Sequence, residues 1–205
     1  MYVQCKNLSD RLISFKQLRK ITYHTVWYVI LVGNEGLIMF SSIKATKPSS
    51  RDELSKFEQV PFFRDALVSP ISKPDLCAQQ IQHAIFGYMP KWVHTLMKIR
   101  NSVVSKLGFK VGVDSMSSNN KDLQAGDKVG FMKIKSITPT EVICFAEDKH
   151  MDFYISVSKN NTQATISTLV NQKTLIGRLY VNAIIPFHYV IARAVIANAL
   201  KAKRI

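Results

Sequence analysis

Between Leu179 and Val190 the chain offers little to water: Asn182, Pro186 and His188 are the interruptions, and Arg193 follows shortly after. A helix that is apolar on most sides belongs in a core or a membrane. The segment Thr174 to Arg204 therefore needs a cover, and the short strand-like runs before it supply one. The expected fold class is α+β, a curved antiparallel sheet wrapped around one long C-terminal helix, with room left for a small ligand. Pro186 kinks that helix, because its ring clashes with the preceding turn and removes a hydrogen bond.

The strand signal is clearest where Met151, Phe153, Ile155 and Val157 alternate with Asp152, Tyr154, Ser156 and Ser158, the pattern of a half-buried strand. Val129–Ile137, Glu141–Ala146 and Gln163–Val170 read as further strands, joined by turns at Thr138-Pro139-Thr140, Glu147–His150 and Lys159-Asn160-Asn161. Consecutive hairpins make a meander with one apolar face to cover. Upstream, Phe62–Val68 reads as a first strand that ends at Pro70. Asp75–Gly87 reads as a helix with Asp75 as its cap. Pro90 opens a second helix, Lys91–Leu107, in which Trp92, Leu96, Ile99, Val103 and Leu107 form an apolar stripe and Gly108 is the stop. Val113–Asp122 reads as a flexible loop, suited to a lid.

Residues 1–44 form an N-terminal extension to a domain spanning 45–205. The run Val26–Val32 is shorter than the roughly 20 apolar residues a spanning helix needs. With Leu37–Phe40 it reads as a hairpin around Gly33-Asn34-Glu35-Gly36. Met39 stands as an alternative initiator. Lys47–Ser50 marks a loop, and Arg51–Glu58 one short helix.

Net charge is +14, from 28 Lys and Arg against 14 Asp and Glu. Such a balance favours anionic partners. The basic residues are scattered, however, with no nucleic-acid-binding motif, so a solvated basic surface is expected and specific nucleic acid is not. An anionic membrane surface remains open as a partner. Three well-separated cysteines, Cys5, Cys77 and Cys144, point to a reducing compartment and a cytoplasmic location. Oligomeric state is not legible.

Three stretches together carry a resemblance. They are Pro90-Lys91-Trp92-Val93 running to Leu107-Gly108, Glu147-Asp148-Lys149-His150-Met151-Asp152-Phe153 running to Ser156-Val157, and Gly177-Arg178-Leu179-Tyr180 with Pro186-Phe187-His188. In that order, over about Phe62 to Leu200, the chain resembles the bacterial family called domain of unknown function 2867, with Gly126–Gly130 matching as well. The resemblance implies a START-like, helix-grip fold, in which a sheet grips a C-terminal helix and often encloses an apolar cavity. It transfers no catalytic residue. Relatives fused to nicotinamide-binding domains exist, but no G-x-G-x-x-G follows a strand here, so no cofactor is expected.

Asp148, His150 and Asp152 share one face of an extended strand, a spacing that suits a base with an orienting carboxylate. Transition-metal sites are usually anchored by two or more imidazoles, so no metal is expected, and Asp148 serves the turn. Arg100, Arg178 and His188 sit in apolar helices, where a buried charge needs a partner; Asp65 or Asp152 would provide it. They form either a structural ion pair or a polar cavity floor for the acidic or carbonyl end of a ligand. Trp92, Phe131, Phe145, Phe153, Tyr154, Phe187 and Tyr189 supply aromatic bulk, as core or as cavity lining.

The first functional expectation is a module that binds a small hydrophobic or amphiphilic molecule. An alternative is a cyclase, dehydratase or isomerase, with His150, Asp152 or His188 as acid or base and Arg178 or Arg100 as oxyanion partner. The third is a peripheral protein of anionic membranes or a lipid handler.

Overall fold

The computed structural model describes residues 41–50, 52–109 and 123–205, all within one unit, Met39–Ile205. The expected hairpin at 26–40 and the lid at 113–122 lie outside the described residues.

Seven strands form one open antiparallel sheet: β1 (Lys44–Thr46), β2 (Phe62–Pro70), β3 (Lys128–Val129), β4 (Met132–Ile137), β5 (Glu141–Glu147), β6 (Met151–Lys159) and β7 (Gln163–Gln172). Their order is β1-β2-β7-β6-β5-β4-β3. The meander therefore stays in sequence, while β2 closes against the last strand, with Asp65 opposite Thr168. The run expected as one strand over Val129–Ile137 is broken at Gly130 and Phe131, which form a turn with Gly130 at φ 61°, a conformation glycine takes at no steric cost. A register shift between Ile134 and Ser136 marks the kind of bulge that bends a strand.

Both faces of the sheet are covered. On the concave face, Leu67, Met132, Ile134, Val142, Cys144, Ile155, Val157 and Ile166 join one core with the helices. On the other, Ile143, Tyr154 and Leu169 pack around Leu54 and Phe57 of a short 3-10 helix, Glu53–Phe57. Asp52 caps that helix by accepting from the Ser55 N–H at 3.0 Å. Arg64, on the same face of β2, makes ion pairs with Asp52 and Glu58, and Asn171 donates to the Phe57 carbonyl at 2.8 Å. This cover corrects the half-buried reading of β6: Asp152, Tyr154 and Ser156 are as buried as their apolar neighbours.

Three helices complete the domain. α1 (Ala78–Phe86) buries Ile81 and Ile85 against the concave face. It starts three residues later than expected: Cys77 holds the cap position, its N–H donating to Gln80 Oε1 at 2.9 Å, so Asp75 is no cap. α2 (Lys91–Ser105) corrects the sequence more sharply. Its inner face is Val93, Met97 and Val104, whereas the richer stripe points outward, with Ile99 and Val103 each 57% exposed. The positive φ of Gly108 (82°) then turns the chain so that Phe109 is buried.

α3 (Leu175–Lys201) is the long helix, and with the curved sheet it makes an architecture consistent with the helix-grip fold. Thr174 caps it, accepting from the Gly177 N–H at 3.2 Å. Its shielding is uneven. Gly177 and Val181 are buried at one end and Ala194–Ala197 with Ala199 near the other, but from Asn182 to Arg193 no residue is. On its outer side Leu179 is 63% and Phe187 64% exposed. The sheet thus covers one side of the apolar rod along its first half, and the full wrapping expected from its composition does not occur.

Leu54→Ala should lower stability by about 2–4 kcal/mol, the usual cost of a buried Leu truncation. Ile99→Ala should stay within about 0.5 kcal/mol, as surface changes do. Urea midpoints of the two variants check both; equal losses would place the α2 stripe in the core.

Candidate functional site

Two polar clusters lie along α3. The first is at its start. His150, in the β5–β6 turn, is buried, and its Nδ1 is 2.9 Å from Thr174 Oγ1. Its carbonyl accepts from the Lys173 N–H at 3.0 Å, and Gly177 passes so close that an added Cβ would stand 2.2 Å from that oxygen. The rings of His150 and Tyr180 each lie 4.8 Å from that of Phe109. Arg100 Nε donates to Tyr180 Oη at 2.6 Å, with the guanidinium 5.4 Å from the Tyr180 ring. These contacts hold α2, the turn and α3 together.

The second cluster sits under the middle of α3. Asp65, on the concave face of β2, is 7% exposed. Its Oδ2 lies 3.1 Å from His188 Nε2, while Oδ1 has no hydrogen-bond partner among the described residues. A buried acceptor left unpaired costs about 1–3 kcal/mol. Phe63 stands edge-on to His188 at 5.7 Å and to Tyr189 at 6.3 Å. The guanidinium of Arg193 is 5.9 Å from the Tyr189 ring. Burial, then the Asp65 carboxylate, pushes the Tyr189 phenol up, against the opposing pull of Arg193. Burial lowers Arg193, and Asp65 counteracts it. Thr168, buried beside Asp65 in the register, adds a hydroxyl-bearing residue to the same face.

The structure thus gathers two of the residues expected from sequence, His188 and Tyr189, with the anticipated partner Asp65, and separates the others. His150 belongs to the first cluster. Asp152 lies on the opposite face of the sheet, where Lys173 Nζ approaches its Oδ1 to 2.6 Å. The acid–base set expected for an enzyme therefore does not converge. Phe145 and Tyr154 are on that far face too, stacked with ring centroids 6.1 Å apart, and cannot line a space between sheet and α3. Burial, then Asp152 and Glu147, raises the Tyr154 phenol. Arg178 is exposed, and Arg100 serves Tyr180. Phe153 and Trp92 pack half-buried on the main core, whereas Phe131 and Phe187 are exposed. Phe63 and Thr168 were not singled out from sequence; the period-two alternation through Phe63, Asp65 and Leu67 was the available signal.

Among the described residues no group of three or more His, Cys, Asp or Glu side chains is arranged to hold a metal ion. Both described cysteines are free. Cys144 is buried and accepts from Gln82 Nε2 at 2.9 Å, and burial pushes its thiol up.

The family described as "Protein of unknown function (DUF2867)" matches residues 60–195, and the chain belongs to that family. Among curated proteins nothing matches. A solved crystal structure, hypothetical protein jhp0584 from Helicobacter pylori, is similar at 14% identity over 75% of this chain and 98% of that one, with a TM-score of 0.36.

Thr174→Ala removes the cap and the partner of His150 together and should cost about 1–2 kcal/mol, measured by thermal melting. Because the folded state holds the Tyr189 proton more tightly than a free phenol, that contribution is complete below the ordinary phenol range and lost as pH rises through the raised value. Tyr189→Phe should therefore lessen the alkaline loss of stability, read from urea midpoints across the phenol titration range; an unchanged profile would refute the shift. In the native protein, iodoacetamide should alkylate Cys77 well before Cys144, as mapped by mass spectrometry.

Proposed function

We propose that the chain holds a small amphiphilic molecule between the sheet and the middle of α3, with its polar end on Asp65. The observation that carries this is the buried Asp65 carboxylate, which keeps one oxygen unpartnered among the described residues beneath a stretch of helix with no buried residue. A carboxylate oxygen accepts, so the ligand end that suits it donates: an amine or a hydroxyl. This differs from the acidic or carbonyl end that an arginine floor would have held, because neither Arg100 nor Arg178 reaches the site. His188, with its side chain 21% exposed, forms the edge of the site, and Phe63 and Tyr189 supply aromatic walls for an apolar tail. Binding sites of this kind are mostly apolar with a few placed polar groups. The order strand, two helices, meander, long helix supports grouping the chain with START-like folds, which often bind apolar molecules in this place.

Displacement of the neutral dye N-phenyl-1-naphthylamine, below micelle-forming concentrations, tests the reading. Dodecylamine and dodecanol should compete well and dodecanoate poorly. Asp65→Asn should weaken dodecylamine about tenfold, equivalent to about 1.4 kcal/mol, and leave dodecanoate unchanged, with folding checked by thermal melting. Equal competition by all three amphiphiles, or by none, would overturn it.

A further inference from the structure

We propose that the outward faces of α2 and α3 dock on an anionic lipid bilayer. On α2 and the turn that follows it, the exposed residues Leu96, Ile99, Val103 and Leu107 lie beside the exposed Lys91, Lys98 and Lys106. On α3, Leu175, Leu179 and Phe187 are exposed, with Arg178 also in solvent. The two helices are tied to each other by the Arg100–Tyr180 hydrogen bond of 2.6 Å.

Charge decides what covers them. No Asp or Glu occurs between Leu76 and Val113, nor anywhere after Asp152. The charges on both helices and their flanks are therefore all basic, on a chain of net charge +14. A second copy would bring two basic faces together, and like charges across an interface oppose association. An anionic headgroup layer neutralises them, each Lys or Arg near such a surface contributing about 1 kcal/mol. The apolar side chains then enter the boundary between headgroups and acyl chains, as in interfacial amphipathic helices.

α3 is long and apolar enough to cross a bilayer by length and composition, with 28% of its most apolar window buried. It lies along the surface instead, because Gly177, Val181 and Ala194–Ala197 are set in the protein's own core. Low burial of that window leaves apolar surface to offer to lipid, which a fully gripped helix would lack.

Flotation of the full chain with vesicles of phosphatidylcholine alone, and of phosphatidylcholine with phosphatidylglycerol, tests the proposal. Binding should be confined to the anionic vesicles and released near 1 M salt, where the screening length falls to about 3 Å. Ile99→Glu/Val103→Glu, at two exposed positions, should reduce the bound fraction about tenfold while leaving the melting temperature unchanged, and Lys98→Glu/Lys106→Glu should abolish the preference for anionic lipid. Equal binding to both vesicle types, or to neither, overturns the proposal. So does a dimer in size-exclusion chromatography that Ile99→Glu/Val103→Glu splits, since the stripe would then be an interface between copies. None of these outcomes depends on amphiphile binding at Asp65, which dye displacement reads separately.

Discussion

The contact between Gly177 and the carbonyl of His150 fixes where the last helix can lie. With an added Cβ only 2.2 Å from that oxygen, a larger residue would force the helix off the β5–β6 turn. Once that end is set, the rise of about 1.5 Å per residue in an α-helix determines where each later side chain lands. His188 comes over Asp65, and Ala194–Ala199 come down beside α1, where Asn198 Nδ2 donates to the Tyr88 carbonyl at 2.6 Å. Small residues dominate this far end (Ala194, Ala197, Ala199), so the helix can approach closely there. In the middle, Ile184, Ile185, His188 and Tyr189 are only half-buried, and His188 stands over Asp65 of β2.

The sheet divides its side chains by parity, and the two sets meet different partners. Odd positions of β2 (Phe63, Asp65, Leu67) face the helices, and even ones (Arg64, Ala66) face the segment before the strand. Because each face has its own cover, polar residues occur on both. Arg64 has two carboxylates for company, Asp65 one imidazole. This arrangement separates Asp152 from His188, although the two lie only 36 positions apart in a chain whose turns are short.

Much of the topology was legible. Turn chemistry and alternation placed the meander, and the long apolar segment named the helix to be gripped. The cover on the far face was not legible, because Glu53–Phe57 is five residues long and mostly polar; its one fully buried residue, Leu54, carries no period. The orientation of α2 was misleading for a related reason. Counting apolar residues finds the stripe of Leu96, Ile99, Val103 and Leu107, but Val93, Met97 and Val104 are enough to seat the helix. Of the candidate site, His188 and its carboxylate Asp65 could be anticipated as a pair that burial would require, whereas the unpartnered Oδ1 is a fact of three-dimensional placement. Asp148, His150 and Asp152 looked like a constellation because a strand puts alternate residues on one side; His150 lies in the turn before β6, where that rule does not apply.

The peptide running into β2 covers the far face of the sheet, fastened by ion pairs as well as by apolar contacts. The family match begins at residue 60, downstream of Asp52, Leu54, Phe57 and Glu58. A chain trimmed to that boundary would present Ile143, Tyr154 and Leu169 to water as a bare sheet face, with Arg64 stripped of both counter-ions. Flat, uncovered strand surface of that sort is what edge-to-edge and face-to-face aggregation feeds on, so solubility depends on a short segment outside the conventional limits of the domain.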